Sequence, residues 1–148
     1  MKKFASFLVL LIVLTPLYSS HASQEVQQFG VCLTDSMNGK ERKMLAKWIF
    51  FGMSSHSTVK HYVNISEHDR EQVNRSMGVL FTRLIAEDCP NEAKASSDAM
   101  GVKQAFFEAF KIAGATASRE LTAEPEVNMS LNAFEEFVDN EKIKNVLE

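Results

Sequence analysis

Past an opening apolar block, hydrophobic positions recur every three or four residues, and no stretch alternates with period two for long enough to argue a sheet. Asn38-Gly39-Lys40-Glu41 reads as a helix start, with Asn at the cap and Glu placed to return the hydrogen bond. Leu45, Trp48, Ile49, Gly52 and Met53 then share one face, Phe50 and Phe51 widen it, and the helix fades over residues 54–57. After a connector over 57–64, Ser66 with Asp69 marks a second cap, ahead of Val73, Met77, Leu80, Phe81, Leu84 and Ile85 on the inner side. Arg70, Arg75 and Arg83 mark its outer side, and Pro90 stops it. A third helix is expected to begin between residues 91 and 97 and run to about Ala123 on the stripe Ala99, Val102, Phe106, Ala109, Phe110, Ala113, Ala117 and Leu121. Small residues over 113–118 admit a close neighbour, and Gly52 and Gly78 are expected to mark close helix crossings. Glu124-Pro125 breaks the pattern. Ser130 is expected to cap a segment turning Leu131, Phe134, Phe137 and Val138 inward, and Asp139 or Asn140 to restart a final turn or two with Ile143, Val146 and Leu147. Residues 23–37 show no sustained period and are expected to be an extended or irregular lead. The pattern predicts an all-α, single-domain bundle of four to five helices with short connections.

The opening block changes the picture of where this bundle works. Lys2 and Lys3 precede an eight-residue apolar run over 7–14, and small residues at Ser20 and Ala22 occupy the positions a signal peptidase reads. The run is well short of the ~20 residues a membrane-spanning helix needs. Residues 1–22 are therefore expected to be a cleaved export signal, and residues 23–148 a soluble helical domain without a membrane span. Cleavage leaves 126 residues, enough for one core without metal, and takes Lys+Arg from 16 to 14 against 19 Asp+Glu, a net charge of −5. Such a domain has no electrostatic reason to bind nucleic acid or an anionic membrane face. Both cysteines, Cys32 and Cys89, fall in the exported part, where two thiols are expected to pair as one disulfide.

Candidate chemistry is sparse. His56, His61 and His68 fall within thirteen residues, with Glu67 and Asp69 beside the last. The first two sit on a connector rather than one helical turn apart, so they are weak metal candidates, and no cofactor is expected. The acid doublets Glu87-Asp88 and Glu135-Glu136 point about 100° apart on a helix and so do not form facing pairs. Neither a Gly-x-Ser-x-Gly elbow nor a His-Glu-x-x-His motif occurs, and the one Ser-x-x-Lys, Ser57 to Lys60, lies on the connector. Pairing the cysteines removes a thiol nucleophile, so the chain reads as non-enzymatic. Two surfaces stand out instead. Lys40, Arg42, Lys43 and Lys47 cluster at a helix N-terminus, where positive charge opposes the helix dipole, and form a candidate partner-binding patch. The doublets Phe50-Phe51 and Phe106-Phe107 cannot each bury both rings against one neighbour, which opens either a dimer interface or an apolar pocket between helices. That pocket would be lined by Trp48, Phe81, Phe106 and Phe110.

The run Phe29-Gly30-Val31-Cys32-Leu33-Thr34-Asp35-Ser36, then Gly39-Lys40, Arg42-Lys43, Leu45-Ala46-Lys47-Trp48-Ile49-Phe50 and Leu84-Ile85-Ala86-Glu87-Asp88-Cys89-Pro90, resembles a group of small exported proteins of Gram-negative bacteria. The resemblance covers a minor part of the exported chain. It implies export, the disulfide and a bacterial source, and no mechanism. The expectation is a periplasmic or secreted interaction protein whose partner is another envelope protein or a second copy of itself. Small stapled helical domains of this kind include immunity-type inhibitors of envelope-targeting hydrolases. A carrier or sensor of a small apolar ligand held between the helices is the competing expectation.

Overall fold

Helix α5, Val102–Thr122, is the element around which the others gather; α1 (Tyr18–Ser36), α2 (Gly39–Met53) and α4 (Pro90–Met100) all pack on it. The computed structural model describes the backbone from Tyr18 to Glu148 and the side chains from Ala22 onward. Residues 1–17 of the expected export signal lie outside the described residues. The remaining helices are α3 (Glu67–Arg83), α6 (Pro125–Asn132) and α7 (Asn140–Leu147), and α3 packs on α2 and touches α5 through Phe81. Among the described residues there is no strand, as expected, and the helices number seven rather than four to five.

One added helix is the expected lead. Residues 23–37 lie largely within α1, where Val26, Phe29 and Leu33 recur at helical spacing, continued by Met37 just past its end, and all four are buried. Gly30 interrupts its apolar stripe. That glycine marks a close crossing, since a Cβ there would lie 2.6 Å from Ile112 Cδ1 on α5. The expected close crossings at Gly52 and Gly78 are not found, for both have open space where a Cβ would stand. Gly114 is the second real one, with Ile49 Cδ1 3.3 Å from the Cβ position.

Another helix arises because the expected third helix is two. Gly101 adopts φ 85°, a left-handed conformation that suits glycine, and there α4 ends and α5 begins. Its position leaves Ala99 and Val102 exposed, although both belonged to the expected inner stripe. Pro90 likewise opens α4 at its first turn, where its missing N–H is not needed. The preceding helix closes instead through a π-helical turn, Leu84–Asp88, in which the Cys89 N–H donates to Leu84 O at 2.9 Å. This turn brings Cys89 to Cys32 at disulfide distance, with Cα atoms 6.0 Å apart, and Cys89 is fully buried.

The cap signals at Asn38 and Ser66 hold. Asn38 and Glu41 form the reciprocal capping box of α2, and Ser66 Oγ accepts from Asp69 N at the start of α3. Two of the three arginines expected to be solvated are structural. Arg70 donates to Phe51 O at 2.7 Å and to Ser54 and Ser55, tying α3 to the carbonyl end of α2. Arg83 bridges Glu41 at 2.9 Å and Asp88 at 2.8 Å, clamping the start of α2 to the π turn.

The C-terminal expectation fails most completely. Ser130 lies inside α6 rather than capping a helix, and a 3-10 turn, Ala133–Phe137, follows. Leu131, Phe134 and Phe137 are exposed and Val138 only half-buried, because α6 packs only on the end of α5 and offers no second layer. Asp139 does cap α7, accepting from Lys142 N at 3.1 Å, yet Ile143, Val146 and Leu147 are exposed there as well.

Candidate functional site

The four residues expected to line an apolar pocket do meet. Trp48 from α2, Phe81 from α3, and Phe106 and Phe110 from α5 line one groove of about 530 Å³, with Leu45 and Ile49 beneath and Phe107 and Lys111 at the lip. Their placement follows from helix geometry. Phe106 and Phe110 are one turn apart on α5, and Leu45, Trp48 and Ile49 follow at three and four residues on α2. Burial of Leu45 and Ala109 under them fixes the aromatic rings in the next layer out.

The rings form a continuous series. Trp48 stands edge-on to Phe81 with centroids 5.6 Å apart, Phe81 meets Phe110 at 4.4 Å, Phe110 tilts against Phe106 at 6.3 Å, and Phe106 meets Phe29 of α1 at 5.4 Å. The Trp48 indole N–H donates to Asn74 Oδ1 at 3.0 Å, which sets the angle of the ring. Phe106 is half-buried and Phe107 is 62% exposed, so the doublet divides as the sequence requires, one ring inward and one at the groove edge. The space is an open groove on the surface rather than an enclosed cavity between helices. Its volume is within the range of small-molecule sites. A second groove of about 550 Å³ shares Trp48 and Ile49 and continues past Phe51 and Met53 to Arg70 and Asn74.

The basic cluster is divided. Arg42 is turned inward, where it pairs with Glu120 of α5 and donates to Met37 O. Lys43 reaches Glu124 at 3.3 Å. Lys47 lies over the Phe51 ring at 5.3 Å and, with Lys40 and Lys43, lines a shallow depression between α2 and α3. Three of the four cluster residues thus share a face, and the fourth does not. Its inward turn accounts for part of the charge that opposes the α2 dipole: the guanidinium is held by a carboxylate and a carbonyl.

Nothing in the described residues gathers the other candidates. His56, His61 and His68 are all exposed, and no group of three or more His, Cys, Asp or Glu side chains is placed to hold a metal. Asp88 is engaged by Arg83, and Glu135 and Glu136 lie on the exposed turn after α6. The Ser66 hydroxyl beside Asp69 holds that carboxyl below the usual carboxylate range, a capping effect on an exposed group. Sequence reasoning missed Phe107 and Lys111 at the lip and Arg70 at the far end of the second groove. The signal for the first was present in the doublet; Arg70 carried none, since its role depends on where α2 ends. No protein-family model, no curated protein and no solved structure matches the chain.

Proposed function

We propose that this chain is an exported, non-enzymatic binding protein that holds a small apolar ligand along the aromatic groove between α2, α3 and α5. The observation that carries this reading is the convergence of Trp48, Phe81, Phe106 and Phe110 on one open apolar groove, with ring faces and edges left for an occupant. A groove lined by aromatic rings with a few polar groups at its rim is the common form of a site for an apolar small molecule. The signal-like first 22 residues and the Cys32–Cys89 pair support an oxidising compartment outside the cytoplasm. An immunity-type inhibitor acting through the basic patch is the weaker reading, because Arg42 is already committed to Glu120.

Trp48, the single tryptophan, borders both grooves and reports occupancy directly. Titration of the protein with the neutral apolar dye N-phenyl-1-naphthylamine should quench Trp48 emission and raise dye fluorescence. The substitution Phe107→Asp at the lip should weaken binding by about tenfold without altering the melting temperature. Unchanged Trp48 emission at saturating dye would remove the reading.

A further inference from the structure

Two surfaces that the groove does not use carry matching patterns. The outer face of α2 presents Lys40, Lys43, Lys47, Phe50 and Met53, all exposed and spaced by three or four residues. Positive charge occupies its first half and apolar surface its second. The chain from Glu124 to Glu148 holds seven carboxylate residues against Lys142 and Lys144, a net charge of −5, where the outer face of α2 carries the three exposed cations Lys40, Lys43 and Lys47. Along this tail the order repeats: Glu135, Glu136 and Asp139 come first, then the exposed Ile143, Val146 and Leu147 at helical spacing. Glu135 and Glu136 make no ion pair among the described residues, and α7 has no substantial contact with any other helix.

We infer that the tail of a second copy of this chain docks on the outer face of α2, running parallel to it, so that acids meet lysines and the α7 apolar stripe meets Phe50 and Met53. Charge complementarity names the occupant: an acidic tail is repelled by anionic lipid headgroups and by most of this acidic chain, and α2 is the basic helix it would meet. The chain's own tail touches this face at its root. It is rooted where Glu124 reaches Lys43, and Pro125 then turns α6 onto the end of α5. Exchange of tails between two copies gives a closed two-fold pair in which each copy both donates and receives. The aromatic groove lies on another side of α2, so this inference stands whether or not that groove takes a ligand.

Sedimentation equilibrium of the protein expressed from the full chain is the test, in low salt and at concentrations up to about 100 μM, where a weak interface is populated. A monomer–dimer equilibrium is expected, weakened about tenfold or more by the pair Lys40→Glu and Lys47→Glu, and by Ile143→Asp with Leu147→Asp. All four positions are exposed, so circular dichroism should show these variants folded. Adding Glu135→Lys and Glu136→Lys to the lysine reversals should restore association, which a general loss of solubility would not do. A monomer throughout, including one whose tail folds onto its own α2, overturns the inference. So does a dimer indifferent to these changes.

Discussion

Helix α1 and the C-terminal tail reverse each other's promise. The first carries Gly30 within its apolar stripe, yet Phe29 and Leu33 are fully buried in the centre of the body. The second has cap signals and a clear apolar stripe on α7, yet Phe137 is 86% and Val146 84% exposed. The difference is the partner, not the helix. α1 finds two neighbours, α4 and α5, and Gly30 lets one of them approach until the Ile112 side chain sits against backbone. Beyond the Glu124–Lys43 ion pair at its root, the tail packs on α5 through α6, and an apolar stripe with nothing facing it buries nothing. Periodicity specifies which face a helix would bury; packing decides whether it does.

Large-to-small substitutions are the harshest way to break this contrast. Phe29→Ala should lower unfolding free energy by about 3–5 kcal/mol, since it removes a fully buried ring at the α1–α5 contact. Phe137→Ala, in the tail, should change it by less than about 0.5 kcal/mol. Urea denaturation of the two variants in low-micromolar protein decides it, and equal effects would show that the tail belongs to the body. Replacing Cys32 and Cys89 together by Ala should follow, at about 2–4 kcal/mol, because a bond between this pair at disulfide distance would restrain a long loop of the unfolded chain and pin α1 to the π turn. The tail, which lies outside that loop, should keep its proteolytic sensitivity unchanged.

Overpacking tests the same crossing from the other direction. Gly30→Ala places a Cβ 2.6 Å from Ile112 Cδ1 and 2.7 Å from Ile112 Cβ. The helices must separate or the Ile112 side chain must move, and a loss of about 1–3 kcal/mol is expected even though alanine is the better helix former. Gly52→Ala, at a helical glycine with open space around it, should be neutral or stabilising. Thermal melts that place both variants together would mean α1 is not held as described.

What the sequence disclosed follows from the range of each signal. The capping box at Asn38 and Glu41 and the cap at Ser66 are local, closed within four residues, and both are present. The aromatic groove was legible because Phe106 and Phe110 share a face of α5, and because a doublet must leave one ring outside. Positions that depend on a distant neighbour were not legible. Arg70 looks like any solvated arginine until α2 ends beside it and offers the Phe51 carbonyl. The break at Gly101 is hidden because glycine in a helical pattern is tolerated often enough that only its observed φ of 85° separates a break from a continuation. The spacing Val26, Phe29, Leu33, Met37 was there to be read, and the glycine at position 30 within it obscured it.

Helix caps give the finest comparison, because the body owns two that close on a backbone N–H and the tail one. Asn38→Ala should cost about 1 kcal/mol of global stability, since α2 cannot fray without disturbing Leu45 and Ala46 beneath it. Asp139→Ala should fray α7, seen as a small loss of helical ellipticity, with no shift of the melting temperature. At Ser66 the body's cap also acquires a pH dependence. The Ser66 hydroxyl donates to the Asp69 carboxylate, and this bond is the main reason that group gives up its proton more readily folded than unfolded. A depressed folded-state value means the unfolded chain binds the proton first as pH falls. The stabilisation is therefore complete above the ordinary aspartate range, near pH ~4, and disappears as pH drops through the lower folded value. Ser66→Ala removes the donor, so the stability gap between parent and variant should narrow on going from about pH 6 to about pH 3. Part of the gap should persist at the acid end, because the Ser66 oxygen also accepts from the Asp69 N–H, a bond that does not depend on that proton. A gap that stayed constant across this range would mean that Ser66 acts on α3 through the backbone alone.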